Sequence, residues 1–206
     1  MLATSRPAGD TPAGRNRQIE LLYALNEAAA SLQRAARSEE EVFAVFREQI
    51  GGLGLYGFLA LKDESGERLV FRAVAYAPDR LERLERLTGM RAEGFAFDPQ
   101  RVDCYRQVLQ TGQSLFIPDA RIPLTQMMPP VLRPLLERIS QIVGTRAGIL
   151  VPFIGNGTVQ GVMSVSGPDL TPDDVPAVEA FSNHLAVALE NARLFHALQH
   201  SERMLT

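Results

Sequence analysis

From Ile19 onward the apolar residues recur in steps of three and four. Leu21, Leu25, Ala28, Leu32 and Ala35 make one seam, and Ile19, Leu22, Ala29 and Ala36 make a second stripe beside it. This is the spacing of an amphipathic helix with two apolar faces. It starts near Asn16; residues 1–15, rich in Gly, Pro, Ala, Ser and Thr, read as a disordered N-terminal segment. Ser38 followed by Glu41 is a capping box for a second helix, EEEVFAVFREQI, which stops at Gly51 and Gly52. The period then changes to two. Residues 55–62 (LYGFLALK) and 68–76 (RLVFRAVAY) read as strands joined by a turn at 63–66. A charged helix over 78–88, a weak strand over 90–97, a helix over 102–111 ended by Gly112 and a short strand over 114–118 follow. Pro123, Pro129, Pro130 and Pro134 break up residues 120–144, which predicts a loose lid and then one helix over 130–143. Residues 146–154 and 158–167 flank Gly155-Asn156-Gly157 as a hairpin. Thr171-Pro172-Asp173-Asp174 caps a last helix reaching to about 205.

Hairpins outnumber βαβ units in this order, so the class is α+β with an antiparallel sheet, without a second domain or an internal repeat. Hydrophobic residues are 46% of the 206, enough for a core. The net charge is −3, and the one lysine, Lys62, stands among scattered arginines interleaved with acids. Nucleic-acid binding, which needs a basic surplus, is not expected. Cys104 is the only cysteine, which excludes an internal disulfide or a CxxC pair. No apolar run reaches the roughly 20 residues of a membrane span, and the N-terminus has no apolar core for a signal peptide. A cytoplasmic location is expected.

The segment LVPFIGNGTVQGVMSVSGPDLTPDDVPAVEAFSNHLAVALENARLF closely resembles the end of a GAF domain. The pattern is carried by Val151-Pro152-Phe153, by Gly161-Val162, by the cap at 171–174, and by Ala186 to Leu194. Upstream, VLQTGQ at 108–113 and FIPD at 116–119 are similar to the family's middle helix and strand. The resemblance covers about residues 21–198. It implies a six-stranded antiparallel sheet with long N- and C-terminal helices on one face. Short helices and loops roof a small-molecule pocket on the other. The domain would span 16–198, and 199–206 would begin a helical linker. Members serve as sensory input modules of signalling proteins.

The family's chemistries can be tried against the residues. In the bilin-binding relatives a Cys-His pair precedes the glycine before the penultimate strand; the corresponding positions ahead of Gly144 hold Leu132 and Leu136. Haem needs an axial ligand, usually histidine; His184, His196 and His200 all fall on the last helix, on the expected bundle side of the sheet. His196 and His200 share a helical face without a third metal ligand nearby. Sulfoxide reduction needs a recycling thiol, which one cysteine does not supply. Ser164, Ser166 and Ser182 have no histidine at motif spacing. Lys62-Asp63-Glu64 repeats part of the family's cyclic-nucleotide signature in the wrong place. No P-loop, GxGxxG or helix-turn-helix occurs. The expectation is a non-enzyme without bilin, haem or metal.

Alternation in the family register turns Gly148, Leu150, Val162, Ser164 and Ser166 to the pocket and Ile149, Val151, Met163 and Val165 to the long helices. Gly161 would permit a close helix approach. Phe95, Phe97, Tyr105, Met127, Met128, Leu132 and Leu135 would form the roof. The set suits a small, weakly polar ligand, with Arg91, Arg101, Arg106 or Arg146 as alternative anion partners. The last helix carries two apolar stripes: Leu185, Ala188, Ala192 and Phe195, and Val187, Asn191, Leu194, Leu198 and Leu205. One covers the sheet. The other, with the Leu21-Leu25-Ala28-Leu32 seam, predicts a homodimer. The expected function is a small-molecule sensor of a bacterial signalling protein, such as a histidine kinase. It would pass its signal along the last helix to a kinase, PAS or similar output domain. The alternatives are a structural dimerisation domain without ligand, or a stand-alone enzyme on the same fold.

Overall fold

In a computed structural model, the backbone is described over residues 12–34, 37–144 and 146–204, and side chains over 19–34, 37–144 and 146–198. Residues 1–11 and the side chains of Ala35, Ala36, His200 and Leu205 lie outside the described residues.

The chain opens with α1 (Pro12–Arg34) and α2 (Glu39–Gly52). Helix α1 starts at Pro12, earlier than the apolar pattern indicates, because proline's fixed φ suits a first turn whose N–H groups are free anyway. Ser38 caps α2: the Glu41 N–H donates to its Oγ at 3.2 Å, and Glu39, Glu40 and Glu41 lie at the positive end of the helix. Strands β1 (Tyr56–Lys62) and β2 (Leu69–Ala75) form a hairpin, followed by α3 (Pro78–Thr88) and β3 (Ala96–Phe97). Strand β3 is shorter than expected. Residues 90–95 form a tied loop instead, in which the Ala92 N–H donates to Glu85 Oε1 and the Phe95 N–H to the Ala92 carbonyl.

Helix α4 (Asp103–Thr111) and β4 (Leu115–Ile117) lead into the proline-rich stretch. The expected loose lid is in fact a helix, α5 (Arg121–Met127). The single helix expected over 130–143 is split into a 3-10 segment (Pro130–Leu135) and α6 (Leu136–Val143). Pro134 has no N–H to continue an α-helical ladder, so α6 begins only after it. Strands β5 (Gly148–Gly155) and β6 (Thr158–Ser166) meet at Asn156 and Gly157, both at positive φ (51° and 73°), as a tight two-residue hairpin requires. The Thr171 N–H donates to Asp174 Oδ2 at 2.8 Å ahead of α7 (Val175–Met204).

The six strands are antiparallel in the order β3-β2-β1-β6-β5-β4. Helices α1, α2 and α7 cover one face. Ile149, Val151, Met163 and Val165 pack there with Leu25, Leu32, Phe46, Ile50, Phe181, Leu185 and Leu189. The Phe46 and Phe181 rings stack with centroids 6.3 Å apart. On the other face Ala60, Leu69, Leu150 and Val162 pack with Phe97, Val102, Tyr105 and Val108.

Three expectations change here. Gly161 admits a strand, not a helix: a Cβ on it would stand 2.1 Å from the Ala60 carbonyl oxygen of β1. The seam of Leu25, Ala28 and Leu32 is buried within the chain, so the exposed apolar side chains of α1 are Ile19, Leu22 and Tyr23. Phe195 is likewise exposed beside Val187, Leu194 and Leu198, because α7 has passed the end of the sheet by that turn.

Strand β2 carries a bulge. Leu59 pairs with Ala73 and Ala60 with Phe71, which leaves Arg72 without a partner in β1. The alternation of side chains therefore shifts within the strand. Leu69 and Phe71 face the same side as Val74 and Tyr76, while Ala73 and Ala75 face the helices.

Candidate functional site

A cavity of about 150 Å³ lies between the sheet and α3–α6. Phe58 of β1, Phe71 and Val74 of β2 and Tyr76, the residue after β2, form part of its floor, and β5 and β6 contribute Gly148, Leu150, Ser164 and Ser166. The bulge at Arg72 is what brings both Phe71 and Tyr76 to this side. Gly148 keeps the floor open: a Cβ there would stand 3.0 Å from Ser166 Oγ. Leu81 and Leu84 of α3, Tyr105 of α4, Leu124 and Met127 of α5 and Ile139 of α6 close the walls.

The rings form a connected group. Phe58 stacks on Phe71 at 4.3 Å between centroids, Phe71 meets the edge of Phe95 at 5.7 Å, and Phe58 lies parallel to Tyr105 at 6.3 Å. Such offset and edge contacts fix the aromatic wall in place.

Nine of the twelve sequence-expected residues line this cavity: Phe95, Tyr105, Met127, Met128, Leu132, Gly148, Leu150, Ser164 and Ser166. Three do not. Phe97 (5% exposed) and Val162 (0%) are packed into the apolar cluster beyond the cavity, against α4. Leu135 ends the 3-10 segment, and the change of period at Leu136 presents Ile139 and Val143 to the cavity in its place. The β1 and β2 residues were missed. Their signal was the alternation of 55–62 and 68–76, and the bulge hides its continuation.

The polar groups are few. Tyr105 and Ser164 are 3% and 9% exposed, and neither hydroxyl has a hydrogen-bond partner among the described residues. Burial pushes both the Tyr105 and the Tyr76 phenols above their ordinary pKa, so both are neutral donors at physiological pH. Of the four arginines left open by the sequence, Arg91 and Arg146 line the cavity. Arg101 pairs with Asp98 at 3.3 Å and Arg106 with Asp103, both away from it. Cys104, next to Tyr105, does not line the cavity, and burial pushes its thiol up to about 11. His184 and His196 are on α7, across the sheet. Among the described residues no group of three His, Cys, Asp or Glu is placed to hold a metal, and no helix is long and apolar enough to cross a membrane.

Known proteins agree with this architecture. The GAF domain of a phosphoenolpyruvate-protein phosphotransferase from Coxiella burnetii superposes with a TM-score of 0.62 at 15% identity, covering 87% of this chain and 98% of that one. The A. aeolicus nlh2 GAF domain in an inactive state gives 0.58 at 17% identity, covering 84% and 97%. The photosensory core module of Stigmatella aurantiaca phytochrome gives 0.59 at 18% identity, covering 97% of this chain and 41% of that one. A search of curated proteins finds no match. The family model for the GAF domain matches residues 36–190, well over half of the sequence. With that match, and a sheet and helical layers shared with solved GAF domains, the chain belongs to the GAF domain family.

Proposed function

We propose that this chain is the regulatory, ligand-sensing domain of a signalling protein and performs no catalysis of its own. A small molecule in the cavity would set the state of the helices across the sheet. The observation that carries this is the two-sided construction of β5 and β6. Leu150 and Ser164 form the cavity floor, while Ile149, Val151, Met163 and Val165, one residue to either side, pack in the core shared with α7. An occupant that displaces the floor therefore displaces the seat of α7. The ligand class is small. A linear tetrapyrrole, the cofactor of bilin-binding relatives, is several times larger than one ring, and this cavity is of the size that holds one.

Val187, Leu194 and Leu198 on α7, with Ile19 and Leu22 on α1, are 42–65% exposed. We assign this stripe to a homodimer contact. Helix α7 continues past residue 190, where the family match ends, to Met204, and is the route to an output domain such as a kinase or PAS module.

Two measurements test the reading. Thermal melts with a panel of single-ring compounds (phenol, benzoate, benzamide) should raise the midpoint for at least one of them. If none does, the structural dimerisation reading replaces sensing. Sedimentation should give a dimer that Leu194→Glu with Leu198→Glu converts to a folded monomer. A parent chain that sediments as a monomer refutes the assembly.

A further inference from the structure

We infer that the cavity takes a single-ring aromatic carboxylate bearing a ring hydroxyl, with the carboxylate held at the mouth by Arg91 and Arg146. This rests on the reading of the cavity as a ligand site and adds the chemistry of the ligand.

Size and shape set the ring. A cavity of about 150 Å³ is comparable with the apolar cavities that hold benzene. Phe58, Phe71 and Phe95 offer ring faces and edges, and Met127 offers a sulfur of the kind that sits well against an aromatic edge.

Charge sets the carboxylate. The chain carries more acids than bases, 24 against 21. Yet the described cavity lining has two arginines and neither Asp nor Glu. Both arginines are exposed at the mouth, and neither has an ion pair or side-chain hydrogen bond among the described residues. The acids nearest Arg91 in sequence are committed elsewhere. Glu93 accepts from Arg47 Nε at 2.8 Å and from the Val74 N–H at 3.2 Å, and Glu85 accepts from the Ala92 N–H at 2.9 Å. A pair of uncompensated guanidiniums beside an apolar recess is suited to an amphiphilic anion, whose carboxylate takes charge-assisted hydrogen bonds while its ring stays dry.

The interior hydroxyls set the ring substituent. Tyr105 and Ser164 line the cavity, and their hydroxyls have no hydrogen-bond partner among the described residues, so a ligand that fills the cavity must offer them polar partners. A ring hydroxyl is both donor and acceptor and meets this need.

The test is calorimetric titration of the full chain with 4-hydroxybenzoate and with its neutral isostere 4-hydroxybenzamide. The acid should bind about tenfold or more tightly than the amide, the gain expected of a charge-assisted pair. Arg91→Gln and Arg146→Gln should each weaken the acid by about tenfold and leave the amide unchanged. Both side chains are exposed, and unchanged circular dichroism of each variant separates loss of binding from loss of fold. Ser164→Ala should weaken 4-hydroxybenzoate more than benzoate. Amide binding as tight as the acid, or acid binding undiminished in the double arginine variant, overturns the carboxylate assignment and leaves the cavity a ligand site. If acid, amide and phenol all fail to bind the folded parent, the ligand-site reading falls with it.

Discussion

Gly161→Ala would place a methyl group where the backbone of β1 already stands. An ideal Cβ at this position lies 2.1 Å from the Ala60 carbonyl oxygen, 2.8 Å from Leu61 Cα and 3.0 Å from the Ala60 carbonyl carbon. An ordinary carbon–oxygen contact is about 3.3 Å or longer, so β1 and β6 must separate by roughly 1 Å at this point. No side chain can rotate away, because all three obstructing atoms are backbone. Strand β1 is held between β2 and β6, and its pairing with β6 extends from Tyr56↔Ser166 to Leu61↔Gly161. Displacing its end therefore strains both ladders. Overpacking typically costs 1–3 kcal/mol, and a clash with backbone alone belongs at the upper end, about 3 kcal/mol. For a chain of this length that corresponds to a fall in Tm of roughly 6–12 °C. The comparison variant is Gly51→Ala. That glycine is in the last turns of α2 with nothing within 4 Å of a built Cβ. Alanine there should stabilise by up to about 1 kcal/mol through helix propensity. Urea unfolding followed by circular dichroism measures both variants. The reasoning is refuted if Gly161→Ala unfolds within about 0.5 kcal/mol of the parent, an ordinary surface-substitution effect.

Two further predictions rest on single groups. Burial raises the Cys104 thiol to about 11, so at pH 8 its alkylation by iodoacetamide should be on the order of 100-fold slower than that of free cysteine, accelerating as pH rises toward 11; a rate like that of the free amino acid contradicts the packing around α4. Ser38→Ala removes the oxygen that accepts from the Glu41 N–H and should cost about 1 kcal/mol in urea, while Ser38→Asp should retain most of the parent's stability; a Ser38→Ala variant as stable as the parent would mean that the cap contributes nothing.

The parts of this fold that were readable in the sequence are those governed by local rules. The α2 cap at Ser38, the Asn156-Gly157 hairpin and the alternation in β5 and β6 each need only a few neighbouring residues, and the structure places all three as their patterns indicate. The same alternation, set in the register that the GAF resemblance implies, put Ser164 and Leu150 on the cavity side. Local rules failed where one segment's geometry is decided by another. The bulge at Arg72 shows only in the pairing of β2 with β1, and nothing in RLVFRAVAY announces a change of face. Period-two reading carried through that run puts either Phe71 or Tyr76 on the cavity, never both. Pro134 was visible, but whether it kinks a helix or divides it depends on what the flanking turns pack against. The charge of the mouth was hidden for the same reason. Arg91, Arg101, Arg106 and Arg146 look alike in sequence. Asp98 and Asp103 engage two of them by local i,i+3 pairing. Among the described residues Arg91 has no ion pair, and Glu93, two residues on, is held by Arg47, 46 positions back in the chain. A residue's freedom to bind a ligand is thus set by the tertiary commitments of its neighbours, and it is at such positions that the sequence left four alternatives and the structure leaves two.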